Sequence, residues 1–226
     1  MKTVWLFGGS KKTFGQTLVN GFENVILFGR DNVNYSDIDG FIQSIEDNSI
    51  DYPIPDLIIF NISNNGHEYV PNRKITPRYD IDILIDIIKT TFFFQLRLSE
   101  WFFSTYKNKR ILYITSRENN NNYRSDHIAE DTHHLMLYRM SRALEHQIIH
   151  QQNILKENIE NNNIIMGICV GNNLPEFKYY INQLILNNHF KRNIYGLGST
   201  SLTHGELHTE ITRSDNEFPI YNPKLK

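Results

Sequence analysis

Five short stretches of this chain are apolar at successive positions rather than at alternate ones. They are Thr3–Gly8 ("TVWLFG"), Val25–Phe28, residues 56–63 ("DLIIFNIS"), residues 110–116 ("RILYITS") and residues 164–170 ("IIMGICV"). A strand with side chains of this kind on both faces must be covered on both faces. Between these runs lie segments with helical periodicity: Phe14–Gly21, Asp37–Asp47 with Ser36 or Asp37 as N-cap, a long apolar and aromatic stretch over 79–106, Asp131–Leu155 and Lys178–Asn187. Alternation of buried strands with helices predicts an α/β fold, a doubly wound parallel sheet with helices on both faces. Only "GRDN" separates the second run from a short strand candidate at Val33–Tyr35. That interval leaves no room for a helix between the second and third strands.

The chain has 226 residues, 40% of them hydrophobic, which suits one domain with a substantial core. A formal net charge of −2 offers no global field to draw it to nucleic acid or to a membrane surface. No apolar run approaches the roughly 18–20 residues of a membrane span. The opening "MKTVWLFGG" enters a strand directly and lacks a signal-peptide cleavage pattern, so a cytoplasmic location is expected. The single cysteine, Cys169, excludes an internal disulfide and reads as a buried, inert thiol. "ENNNN" (118–122) and "ENNN" (160–163) read as solvated loops. His146 and His150 share a helix face, but no third ligand accompanies them and no metal site is expected.

In a doubly wound sheet, ligands sit beyond the carboxyl ends of the strands. The segments at those ends are Gly8–Lys12, Gly29–Asp31, Asn61–Asn65, Ser116 and Gly171–Asn173. Though scattered along the chain, they are expected to share one crevice. The first of them, "GGSKKTFG" (8–15), joins a strand to a helix through glycines. Such a turn lets backbone approach a diphosphate, and the free N–H groups of the helix start donate to it.

In these segments the chain resembles the short-chain dehydrogenase/reductase family. Gly9 and Gly15 match the first and last glycines of that family's opening motif, with Gly8 in its Thr place and Thr13 in place of the middle glycine. "LIIFNIS" resembles the strand ending in N-N-A-G, with Asn61 at the second Asn. "RILYITS" resembles the strand ending in the catalytic serine, here Ser116. "YRMSRALEHQ" resembles the Y-x-x-x-K helix, with Tyr138 as the tyrosine. "GICVGN" resembles the strand ending in P-G, with Gly171 as the Gly. The resemblance runs over about residues 3–175. It implies a single Rossmann-like NAD(P)-binding domain over 1–226, with 172–226 as a divergent segment for substrate or oligomer contacts.

What the resemblance implies about the site is specific. Gly8, Gly9, Ser10, Lys12, Phe14, Gly15, Arg30, Asn61 and Gly171 would bind the cofactor. Lys12 and Arg30 fall where basic residues favour NADP over NAD, because a 2′-phosphate dianion needs charged donors. Asp31, one residue further on, keeps NAD open as the less favoured alternative. Ser116 would hydrogen-bond a substrate oxygen, Tyr138 would deliver its proton, and Arg142 stands where the family has lysine. Arginine stabilises a tyrosinate by charge but relays protons poorly. Ile88 occupies the place of the family's water-anchoring asparagine, and the Ser116–Tyr138 interval is lengthened by "RENNNNYRSD".

Two functions follow. The first is an NADP(H)-dependent oxidoreductase acting on a small carbonyl or alcohol substrate through Ser116, Tyr138 and Arg142. The alternative is a non-catalytic NADP(H)-binding sensor or scaffold. The aromatic "TTFFFQLRLSEWFF" (90–103) is read as part core and part subunit interface, in a homodimer or homotetramer. No nucleic-acid or membrane partner is expected.

Overall fold

The structure, a computed structural model, describes residues 3–8, 19–29, 31–48, 51–62, 85–86, 88–115, 132–170, 182, 184–192 and 194–197. At 132–139, 142, 169–170 and 195–197 the description is of backbone only. The elements run β1 (Thr3–Phe7), β2 (Asn24–Phe28), α1 (Ile38–Asp47), β3 (Leu57–Phe60), a π-helical turn (Lys89–Phe93) continuing into α2 (Phe94–Thr105), β4 (Arg110–Thr115), α3 (Thr132–Ile154), α4 (Lys156–Glu160), β5 (Ile164–Val170) and β6 (Ile194–Leu197). All six strands are parallel and lie in the order β2-β1-β3-β4-β5-β6.

The successive apolar positions divide between two cores because side chains alternate across a strand. Trp5, Phe7, Ile58, Phe60, Ile111, Tyr113 and Ile165 point to one face. There they meet Phe41 and Ile45 of α1, Phe94, Leu98, Phe102 and Phe103 of α2, and Ile148 and Ile149 of α3. Val4, Leu6, Leu57, Ile59, Leu112, Ile114, Met166 and Ile168 point to the other face, against Val19, Leu184, Ile185 and Phe190. The first core is aromatic. Phe7 stacks on Phe28 at 4.5 Å between ring centres and meets Phe41, Phe60 and Phe94 within 6 Å.

Packing inside the chain accounts for most of the aromatic stripe of residues 90–103. Phe94, Leu98, Phe102 and Phe103 are core residues. On the flank, the Trp101 indole donates to Glu46 of α1 at 2.9 Å, and Arg97 pairs with Asp39 at 3.6 Å. Phe93 stays half-exposed.

Two features of the sheet depart from the sequence reading, as does Asn163 of the "ENNN" run, which is buried rather than solvated. Val33–Tyr35 is not a strand. Asn32 closes a tight turn after β2, accepting from Gly29 N at 2.7 Å and donating to Leu27 O at 2.8 Å. Tyr35 turns inward, and its hydroxyl donates to Phe28 O at 2.9 Å. With no strand at 33–35, the expected helix-free interval between the second and third strands loses its third strand, and the link from β2 to the next strand, β3, carries a helix, α1. The second departure is β6, which the sequence reading left unassigned. It pairs with β5 from Gly167↔Ile194 onward. Below that register, the Asn153 side chain takes the place of a strand, bonding both N (3.2 Å) and O (2.8 Å) of Ile165.

The amino-end rim of the sheet is fastened by one buried side chain. Asn163 accepts from Lys109 N at 2.9 Å and donates to Phe103 O (3.1 Å) and Tyr106 O (3.0 Å). Asn163→Ala strands three backbone groups, so a loss of about 2–3 kcal/mol in unfolding free energy is expected. Urea denaturation checks it; a loss below about 0.5 kcal/mol would mean that water replaces the amide fully.

Candidate functional site

The strand order places a topological switch point at β1 and β3, whose connections leave in opposite directions across the sheet. A crevice opens at the carboxyl ends of such a pair. Two of the residues singled out from the sequence meet there. Gly8 follows β1 with φ +77°, a conformation that glycine adopts without penalty. Its N–H donates to Phe28 O at 2.9 Å, tying the turn to β2. Its carbonyl accepts from Asn61 Nδ2 at 3.1 Å, tying the turn to β3, while Asn61 N donates to Phe7 O at 2.9 Å. The ends of three strands are thus knit around one glycine. A Cβ at residue 8 would lie 2.5 Å from the Asn61 carbonyl oxygen. The Asn61 side chain serves the shape of this turn.

The turn after β2 is built by Asn32 and Tyr35, neither of them a site candidate in the sequence. Asn favours turns because its short amide bonds nearby backbone groups, as Asn32 does here. Arg30 itself lies outside the described residues, between Gly29 and Asp31. So do Gly9, Ser10, Lys12, Phe14, Gly15, Ser116 and Gly171. Tyr138 and Arg142 lie on the backbone of α3, with their side chains outside the description.

The carboxyl end of β4 carries a buried polar cluster. Tyr113 and Thr115 point to the face covered by α2 and α3. The Tyr113 hydroxyl lies 3.2 Å from Ser99 Oγ, which donates to Gln95 O at 2.7 Å. Burial pushes the Tyr113 phenol far above its ordinary range; the Ser99 bond opposes the shift and the Glu145 charge adds to it. The Thr115 hydroxyl donates to Glu145 Oε2 at 2.8 Å, with both side chains buried.

Helix α3 runs from this rim down the sheet. Glu145 touches the top of β4, and Asn153 touches the start of β5. Its buried positions among the described side chains, 141, 145, 146, 148, 149 and 152, form one face. Positions 138 and 142 precede Glu145 by two turns and by one, toward the rim, so the backbone brings them to the end of the sheet that also holds Gly8, Asn61 and Thr115. His146 is buried while His150 is exposed, so the two offer no common surface. No helix among the described residues is long and apolar enough to cross a membrane.

No family model matches this sequence, and no curated protein sequence matches it either. Solved structures do match. A short-chain dehydrogenase/reductase from Serratia marcescens superposes with a TM-score of 0.62 at 10% identity, covering 87% of this chain and 95% of that one. An RhlG/NADP active-site complex from Pseudomonas aeruginosa gives 0.62 at 11%, over 88% and 95%. A short-chain dehydrogenase with bound NAD+ from Leptospira borgpetersenii gives 0.58 at 16%, over 86% and 90%. The fold of this chain is therefore the Rossmann-like fold of the short-chain dehydrogenase/reductases.

Proposed function

We propose that this protein is an oxidoreductase of the short-chain dehydrogenase/reductase type that uses NADP(H) on a small carbonyl or alcohol substrate. The observation that carries the reading is the left-handed Gly8, held between the ends of β2 and β3 at the switch point of an all-parallel sheet. A glycine turn at that place is the architecture that accepts a diphosphate. Gly8, Gly9, Ser10, Phe14 and Gly15 would form the turn and the following helix start, Asn61 would hold its shape, and Gly171 would border the far side. Lys12 and Arg30 would take the 2′-phosphate. NADPH, when bound, supplies a hydride. Tyr138 gives the proton to the substrate oxygen, Ser116 hydrogen-bonds that oxygen, and Arg142 stabilises the phenolate that Tyr138 leaves behind. A homodimer or homotetramer in the cytoplasm is the assembly and location we assign.

Titration of NADPH and NADH against the protein tests the reading. Arg30→Ala is expected to weaken NADPH by about 2 kcal/mol, roughly thirtyfold, through loss of a charge-assisted contact, and to leave NADH within about threefold. Equal losses would remove Arg30 from the phosphate, and no binding of either nucleotide by the unaltered protein would remove the reading itself. Arg142 and Ile88, both departures from the family's proton relay, support the second reading, an NADP(H)-binding sensor. Binding with no turnover across a carbonyl panel would select it.

A further inference from the structure

Beyond the residues that the resemblance supplies, α3 carries a carboxylate with no counterpart among them. Glu145 is 1% exposed and Thr115 3% exposed, and they meet at 2.8 Å. A carboxylate removed from water is retained only where donors compensate it, and a hydroxyl donating to a charged oxygen is among the stronger ones. The place of this contact matters. Thr115 is the last residue of β4, and Ser116 follows it. Glu145 sits on the sheet-facing stripe of α3, one helical turn beyond position 142 and two beyond position 138. The chain between β4 and α3 is long, so the placement of the helix start over the strand end depends on contacts between the two elements. Lower on α3 those contacts are apolar, through Ile148 and Ile149, or are made to β5 by Asn153. At the rim, the Thr115–Glu145 bond is a polar tie from β4 itself.

We propose that Glu145, acting through the Thr115 hydroxyl, is a positioning residue that sets α3 against the end of β4 and so shapes the nicotinamide half of the cofactor site. This rests on the dinucleotide-binding reading. In a doubly wound sheet, each half of a dinucleotide lies over its own half of the strands. β1 and β2 serve the adenosine phosphate; β4 and β5 serve the other half.

The test compares two ligands, NADPH and 2′,5′-ADP, the second occupying the adenosine half alone. Thr115→Val keeps the shape and removes the donor; Thr115→Ser restores the donor. Thr115→Val is expected to weaken NADPH by about tenfold or more, since small displacements from remote changes propagate to bound geometry, with 2′,5′-ADP changed less than about twofold. Thr115→Ser is expected to recover most of the NADPH affinity. Retained 2′,5′-ADP binding certifies that the variant is folded. Parallel losses for both ligands, an unchanged NADPH affinity in Thr115→Val, or no recovery in Thr115→Ser would each overturn the proposal. Failure of the unaltered protein to bind either ligand would instead fell the dinucleotide reading and the proposal with it.

Discussion

Gly8→Ala is expected to cost about 4 kcal/mol or more of folding free energy, among the largest losses a single methyl can cause here. Two effects combine. The left-handed backbone at φ +77° penalises any Cβ by roughly 1–2 kcal/mol. The added carbon would also lie 2.5 Å from the Asn61 carbonyl oxygen, 2.7 Å from its carbon and 2.9 Å from Ile62 Cα. These are backbone atoms of a central strand end, so no rotamer change relieves the overlap. Relief requires β1 and β3 to part, which breaks the Asn61–Gly8 and Asn61–Phe7 bonds. Urea denaturation of the variant measures the loss; a value under about 1 kcal/mol would show that the turn has another low-energy conformation.

Tyr138→Phe is expected to lower turnover of a carbonyl substrate by about 10²–10⁴-fold, the usual worth of a positioned proton donor. NADPH affinity should hold within about twofold, since the ring remains and only the hydroxyl is lost. A carbonyl panel read at the NADPH absorbance band checks the first expectation, and a binding titration checks the second. Unchanged turnover would transfer the proton to another group. Arg142→Lys belongs in the same experiment. A rise in rate would mean that the guanidinium carries charge but shuttles protons poorly.

The fold was legible wherever burial on both faces forced an uninterrupted apolar run. β5 occupies residues 164–170, as its composition predicts, and β4 and α3 fall within a residue of their expected ends. The failures have identifiable causes. Val33–Tyr35 has the apolar-polar-apolar pattern of a strand, but Asn32 and Tyr35 bond to β2's own carbonyls and close a turn instead. "IYGL" carries no strand signal of its own, because it holds a glycine and too few branched residues; the pairing of β6 with β5 is a tertiary fact. The π-helical turn at Lys89–Phe93 changes a hydrogen-bond step, which periodicity does not register. At the switch point, the left-handed turn at Gly8 and its bond to Asn61 stand where the motifs put a glycine and an asparagine. Glu145 was not legible, because a Glu on a helix reads as solvated until the opposing strand is known. Of the remaining candidates, Tyr138 and Arg142 are placed by backbone alone and the others lie outside the described residues.

The sheet is parallel throughout, and that governs how the chain must reach it. Val4 pairs with Leu57, Leu57 with Arg110 and Arg110 with Ile164, so no ladder among the described strands can start as a hairpin. Each closure orders a long stretch before any pairing compensates the lost freedom. Refolding from urea should consequently be slow for a chain of this length, with hydrophobic strands exposed in the interim, and its yield should fall as protein concentration rises.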